Sequence, residues 1–196
     1  YFHTDAVQAF GKIPVNVRDL NVDLLSISAH KLYGPKGAGA LYISKTVNIE
    51  SLIHGGGQEY GLRSGTENVP CIAGFGKAAE ALPQILADMS GIRSLRDTLE
   101  QKIGNAVPSL RLNGHRHDRL PNTLNVVLPG YRGESVVLAM AQAGIYFSSG
   151  SACKAGSSDP SHALLAMGLS KADAHCSVRF TLGRSNTEDD IMRTAR

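Results

Sequence analysis

The sequence is poor in the features that mark secreted, disulfide-stabilised or membrane-spanning proteins. It has only three cysteines, Cys71, Cys153 and Cys176, and no Cys-x-x-Cys pair, which argues against a disulfide framework and a structural zinc site. No apolar run approaches the roughly 20 residues needed to cross a bilayer, and the chain does not open with the segments of a secretory signal. We therefore expect a soluble protein inside the cell, with at least one free thiol.

The chain also carries little net charge. The 20 lysines and arginines and the 17 acidic residues leave a formal net charge of +3, spread along the chain without a basic block. This distribution gives little support for nucleic-acid binding or for electrostatic attachment to a membrane. We expect neither partner.

The composition is that of a folded chain. With 42% apolar and 19% charged residues, the 196 residues can bury the core of one large or two small domains. The chain begins at Tyr1, without a methionine and within strand-like residues, so we interpret it as part of a longer protein whose N-terminal part is absent. A cytoplasmic location is expected, or a mitochondrial one if a targeting segment precedes Tyr1.

The hydrophobic pattern predicts an α/β fold. Short apolar runs separated by turns, at residues 1–5, 24–28 and 38–43, predict three strands of a mostly buried, mostly parallel sheet. A helical period runs from Ile72 toward Asp88, and a second helix is predicted from Ile92 to Val107. A strand at 123–128 and a helix at 134–143 follow. We place a domain boundary near residues 85–90.

A lysine stands at the end of the second predicted strand, just before a Gly-Pro turn. Open α/β sheets bind ligands beyond the carboxyl ends of their strands, and a deprotonated lysine there can form an imine. Lys31 is better placed for this than Lys36, which lies inside the turn. Ser28 and His30 could donate hydrogen bonds to a phosphate. The alternative is an ordinary surface lysine beside a tight turn.

An acidic residue upstream favours the interpretation that Lys31 forms an imine with a bound cofactor. Asp5 ends the first predicted strand, and Gln8 follows three residues later. Enzymes that use pyridoxal 5'-phosphate (PLP) need a carboxylate on the pyridinium nitrogen, so that the ring accepts electrons.

These segments resemble the class V branch of fold-type I PLP enzymes and, within it, the cysteine desulfurases of the IscS/NifS type. The likeness runs over nearly the whole chain. The matching segments are His3–Gln8, Ser28–Gly37, His54–Gly57, Arg63–Thr66 and Ser148–Cys153.

The resemblance implies a role for each residue of the lysine site. Lys31 would carry the internal aldimine, Asp5 would bind the pyridine nitrogen, and Gln8 would bond the phenolic oxygen of the cofactor. Ser28 and His30 would hold the phosphate, and Lys31 or a histidine such as His30 would move the substrate's α-proton.

The resemblance also implies an assembly and a domain plan. Thr66 would reach the phosphate in the neighbouring subunit, so a homodimer with shared active sites is expected. Residues 1–87 would be the C-terminal part of the PLP-binding large domain, a mostly parallel sheet with helices. Residues 88–196 would form a small α+β domain that carries the catalytic cysteine.

A segment of small residues, 148–158, surrounds one thiol. Its composition predicts a mobile loop with Cys153 at its tip, and Lys154 could lower the pKa of that thiol weakly. The resemblance assigns Cys153 as the nucleophile that forms a persulfide, and it allows transient ligation of an iron–sulfur cluster. The alternative, a small buried apolar cysteine, suits Cys71 and Cys176 better.

Two further polar groups attract attention. Arg179 lies in a predicted strand at 177–182, where an arginine can hold the α-carboxylate of an amino acid through paired hydrogen bonds, and the resemblance points to that role. An ordinary surface arginine is the alternative.

His115 and His117 lie in a polar turn whose composition predicts a solvated loop, so we expect no mononuclear metal site.

The expected activity is removal of sulfur from L-cysteine, which gives L-alanine and an enzyme persulfide. The sulfur would pass to an iron–sulfur scaffold or another acceptor protein. Alternatives are a selenocysteine lyase, a class V aminotransferase, which has no use for the thiol, and a catalytically silent sulfur-assembly scaffold.

Overall fold

The described residues, 1–150 and 159–196 of a computed structural model, divide into two units, Tyr1–Ala87 and Asp88–Arg196. Each unit has its own sheet, the first with three strands and the second with four. The chain thus combines helices and sheets in an α/β fold, as its hydrophobic pattern predicts.

The sheet of the first unit mixes parallel and antiparallel pairing. Strand β1 (His3–Asp5) pairs in parallel with β2 (Leu24–Ser28), with Asp5 opposite Ser26. Strand β3 (Gly39–Ile43) returns antiparallel to β2 across the turn that follows Lys31. A small core, whose buried members are Ala6, Val22 and Leu25, is formed by residues of β2 and of the chain next to β1 and β2.

Two long helices follow, and their boundary differs from the predicted one. Helix α1 spans Val69–Glu80 and helix α2 spans Leu82–Ala106, so the helices part at Ala81, whereas the periodicity predicted a gap between Asp88 and Ile92. Pro83 explains the difference, because a proline is tolerated in the first turn of a helix and disrupts its interior. Gly91 lies inside α2 without ending it.

The sheet of the second unit is antiparallel throughout. Its strands are β4 (Arg111–Leu112), β5 (Thr123–Val127), β6 (Ser148–Ser149) and β7 (Ser177–Thr181), in the order β4-β5-β7-β6. Leu124, Val126 and Val178 are fully buried at its centre. Strand β5 begins at the residue where the sequence predicts a strand.

Beyond α2, the described part of the second unit contains four helices. They are α3 (Gly133–Gln142), α4 (His162–Ala166), α5 (Lys171–His175) and α6 (Glu188–Thr194). The sequence predicts α3 but not the three shorter helices, each of which begins at a serine or threonine whose side chain caps it. Across the described ranges, no helix is both long and apolar enough to cross a bilayer.

Candidate active site

The carboxyl ends of β1 and β2 carry the first group of candidate residues. Asp5 is the last residue of β1, and its Oδ1 accepts a hydrogen bond of 2.9 Å from the backbone of Val7. This short turn fixes the direction of the carboxylate, which stays exposed, and Gln8 is exposed one residue after Val7. The parallel register puts the end of β2 beside the end of β1.

Ser28 ends β2, and a single 3-10 turn, Ala29–Lys31, begins there. The Ser28 hydroxyl lies 2.7 Å from Nδ1 of His30. Lys31 and His30 are exposed, whereas Ala29 between them and the strand is fully buried. Asp5, Ser28, His30 and Lys31 therefore share one edge of the sheet, because parallel strands end on the same side.

The backbone after Lys31 turns sharply. The carbonyl of Ala29 accepts hydrogen bonds from the amides of both Leu32 and Gly34, each at 2.9 Å. A Cβ on Gly34 would come within 3.0 Å of that carbonyl oxygen, which explains a glycine at this position. Tyr33 has a φ of 62°, in the left-handed region that non-glycine residues seldom adopt.

Lys12 is a residue of this region that the sequence pattern does not single out. Its side chain is half-buried, and its ammonium donates a hydrogen bond of 3.1 Å to the backbone carbonyl of Lys31. It also lies 5.3 Å from the centroid of the Tyr33 ring. Burial lowers the pKa of Lys12, and the positive charge of Lys31 lowers it further. A lysine after a glycine carries no local signal that would reveal these contacts.

Thr66 follows the glycine-rich segment of the first unit. The predicted loop is present there: Gln58 Oε1 accepts from the amide of Gly65 at 3.0 Å, and buried Ser64 donates its amide to the carbonyl of Ile53 at 3.2 Å. Thr66 itself is exposed. The segment holds its own shape through these contacts and presents Thr66 outward.

Arg179 lies at the centre of β7, opposite Asn125 of β5 and Ser148 of β6. The predicted strand is thus present, but the alternation is not clean, because Ser177 is fully buried like its neighbour Val178. Nε of Arg179 is buried and has no hydrogen-bond partner among the described residues. A buried donor without a partner is costly, so this group suits an anionic ligand.

The three cysteines divide into one outside the described residues and two inside them. Cys153 and Lys154 lie outside the described residues, as does most of the predicted loop at 148–158, but its first two residues, Ser148–Ser149, form strand β6 rather than loop. Cys71 lies in the first turn of α1, where its amide bonds Asn68, and Cys176 follows α5. Both are half-buried and form no disulfide with a described residue.

The histidines of the polar turn serve the turn itself. His115 Nδ1 accepts a hydrogen bond of 2.7 Å from the amide of Asp118, and both His115 and His117 are exposed. Within residues 1–150 and 159–196, no three His, Cys, Asp or Glu side chains are grouped as metal ligands.

Comparison with known proteins covers almost the whole chain. The family model described as aminotransferase class-V matches residues 1–194. A protein named "Cysteine desulfurase IscS" from Clostridium botulinum is 50% identical over 194 residues, which are 97% of this chain and 49% of that protein. The chain therefore spans about half the length of the curated relatives it matches.

Solved structures also match almost the whole chain. A structure titled "NIFS-LIKE PROTEIN" superposes with a TM-score of 0.88 at 40% identity, covering 98% of this chain and 50% of that one. A NifS-like protein from Rickettsia africae superposes with a TM-score of 0.89 at 35% identity, covering 99% and 51%.

Proposed function

The chain belongs to the aminotransferase class-V family, and we propose that it is the lysine- and cysteine-bearing part of a PLP-dependent cysteine desulfurase. The observation that carries the proposal is the grouping of Asp5, Ser28, His30 and Lys31 at one sheet edge. The similarity to proteins named cysteine desulfurase supports the choice of reaction within the family.

The residues at this edge fit the cofactor by their chemistry. PLP carries a phosphate, a ring nitrogen and an aldehyde, and the edge offers hydroxyl and imidazole donors, a carboxylate and a primary amine. Ser28 and His30 would hold the phosphate, Asp5 would keep the ring nitrogen protonated, and Lys31 would bind the aldehyde. Gln8 would bond the phenolic oxygen. When bound, PLP supplies an electron sink for the substrate's α-carbon.

The chain's own groups then handle protons and sulfur. Nζ of Lys31 takes the α-proton of the substrate, and His30 is the second candidate for proton transfer at this edge. The hydrogen bond between Ser28 and His30 decides which of them donates to the phosphate. If the Ser28 hydroxyl donates to Nδ1 of His30, the imidazole proton lies on Nε2 and reaches the phosphate; if Nδ1 donates to Ser28, the hydroxyl proton does so and Nε2 is a proton acceptor.

Arg179 would bind the substrate's α-carboxylate. Its buried Nε lacks a partner among the described residues, which leaves a charged donor for an oxygen anion. Cys153, assigned from the sequence alone, would act as the nucleophile. Its thiolate forms a bond to the substrate sulfur while the carbon–sulfur bond breaks, and the electron pair left on carbon is protonated, which yields L-alanine and a Cys153 persulfide.

We propose the domain plan, assembly and location on the same basis. Tyr1–Ala87 would be the C-terminal part of the PLP-binding domain and Asp88–Arg196 the small domain. The large exposed side chains of Leu52, Tyr60 and Val69, close in sequence to Thr66, suit a surface covered by a second copy in a homodimer. The persulfide sulfur would pass in the cytoplasm to an iron–sulfur scaffold or another acceptor.

The test uses the complete protein that contains this chain. L-Alanine and sulfide are measured from L-cysteine in the presence of a thiol reductant, for the wild type, Cys153→Ser and the matched control Cys71→Ser. Loss of product in Cys153→Ser alone, with the visible absorbance of the bound cofactor retained, supports the proposal. Normal turnover by Cys153→Ser contradicts it, and turnover of selenocysteine without cysteine would assign a selenocysteine lyase instead.

A further inference from the structure

The ammonium of Lys12 contacts both residues that flank Leu32. It donates to the carbonyl of Lys31 at 3.1 Å and lies 5.3 Å from the ring centroid of Tyr33. A cation over an aromatic face and a charge-assisted hydrogen bond are both attractive, and burial strengthens each of them. One half-buried side chain therefore holds the backbone before Leu32 and the ring after it.

Gly11, the residue before Lys12, is packed against the residue between those two contacts. Leu32 is 1% exposed, and a Cβ on Gly11 would come within 2.3 Å of its Cδ1. Gly11 also has a φ of 77°, so its conformation favours glycine. The Gly11–Lys12 pair thus contacts three consecutive residues, Lys31, Leu32 and Tyr33.

The turn that carries Lys31 needs such support. Its own backbone hydrogen bonds converge on the carbonyl of Ala29, which accepts from Leu32 and Gly34. Tyr33 is held at a φ of 62°, a conformation that costs free energy and persists only when surrounding contacts impose it. The Lys12 contacts are contacts of that kind, since they act on the Lys31 carbonyl and on the Tyr33 ring.

The environment of the Lys12 ammonium disfavours its positive charge. Burial lowers its pKa, and so does the nearby charge of Lys31. A lysine placed only for solubility would point into water, where neither effect operates. Its position indicates that the contacts to the Lys31 turn offset the cost of burial.

We propose that Lys12 is a positioning residue for Lys31, which anchors the Lys31–Tyr33 backbone so that the Lys31 amine is presented at the carboxyl edge of β1 and β2. This inference rests on the proposed function, because it gives Lys31 the covalent bond to the cofactor. A purely structural lysine would stabilise the fold without affecting how fast that bond forms.

The test measures attachment of PLP to the cofactor-free complete protein, followed by visible absorbance. Borohydride reduction and peptide mass spectrometry then identify the lysine that is labelled. The variants are Lys12→Met, Lys12→Arg and the control Lys36→Met, which removes an exposed lysine from the same turn. Thermal unfolding of each cofactor-free variant is recorded alongside.

We expect Lys12→Met to attach PLP about tenfold more slowly, the effect of losing one hydrogen bond to a charged donor. Lys12→Arg, which keeps the charge and the N–H donors, should recover to within about threefold, and Lys36→Met should match the wild type. Wild-type attachment by Lys12→Met, at any unfolding temperature, would overturn the inference. If Lys12→Met does not fold, Lys12→Gln replaces it under the same criterion.

Lys31→Ala in the same assay separates this inference from the proposed function. If Lys31→Ala still attaches PLP at the wild-type rate, the proposed lysine is wrong. If Lys31→Ala abolishes attachment while Lys12→Met leaves it unchanged, only the role of Lys12 fails.

Discussion

Replacing Gly11 with alanine should destabilise the protein through two separable effects. The first is conformational, because a φ of 77° costs an L-residue about 1–2 kcal/mol. The second is steric, because the new Cβ would come within 2.3 Å of Leu32 Cδ1, which is buried and cannot move into solvent. Overpacking of a filled core costs about 1–3 kcal/mol. The sum is a loss of about 2–5 kcal/mol in the free energy of unfolding.

A double-mutant cycle distinguishes the two effects. Leu32→Ala alone should cost about 2–5 kcal/mol as a large-to-small core substitution, and it removes the atom that the new Cβ would meet. In the Leu32→Ala background, Gly11→Ala should therefore cost only the conformational share, about 1–2 kcal/mol. The free energies come from urea unfolding of the cofactor-free protein, monitored by circular dichroism.

Gly91→Ala is the matched control. It adds the same methyl group inside α2, where a new Cβ has no atom within 4 Å, so we expect a gain of about 0.5–1 kcal/mol from helix propensity. An equal cost of Gly11→Ala in both Leu32 backgrounds would refute the steric reasoning. A Gly11→Ala protein as stable as the wild type would refute both parts of it.

Three other changes test the second unit. Arg179→Lys should raise KM for L-cysteine about tenfold or more with less effect on kcat, because a lysine cannot offer the paired donors of a guanidinium; steady-state kinetics measures the split, and an unchanged KM would contradict the assignment. Thr187→Ala removes half of the capping box that Thr187 forms with Asp190 and should cost about 1 kcal/mol in urea unfolding; no loss would mean that the cap is unimportant. The hydrogen bond from Arg111 lowers the pKa of Asp173, so the stability that this pair contributes is present above the unfolded-state pKa of Asp173 and is lost as the pH falls through its folded-state pKa. The free energies of unfolding of Arg111→Gln and the wild type should therefore differ at neutral pH and converge in acid. A difference that stays constant with pH would contradict this.

The strands of the first unit and the common sheet edge of Asp5 and Lys31 could be predicted from the sequence. Apolar runs bounded by turns predicted β1, β2 and β3, and the carboxyl-edge rule put Asp5 and Lys31 on the same side of the sheet. The boundary between α1 and α2 could not be predicted in the same way. The apolar stripe of α2 continues through Gly91, and periodicity alone cannot tell a tolerated glycine from a helix break. The three short helices of the second unit are fixed by capping and packing and are too brief to show a period.

The support of the Lys31 turn lay beyond the sequence for a different physical reason. Strand positions repeat, so a pattern reveals them, but the contacts of Lys12 and Gly11 join residues about twenty positions apart through one hydrogen bond and one close approach. Such contacts depend on how two turns pack after both strands have formed, and neither residue type is unusual for a turn. Lys31, by contrast, follows a strand end, and its place at the carboxyl edge of the sheet follows from the strand pattern. A residue at a strand end can therefore be predicted from sequence, whereas side-chain contacts such as those of Lys12 emerge only from the packed structure.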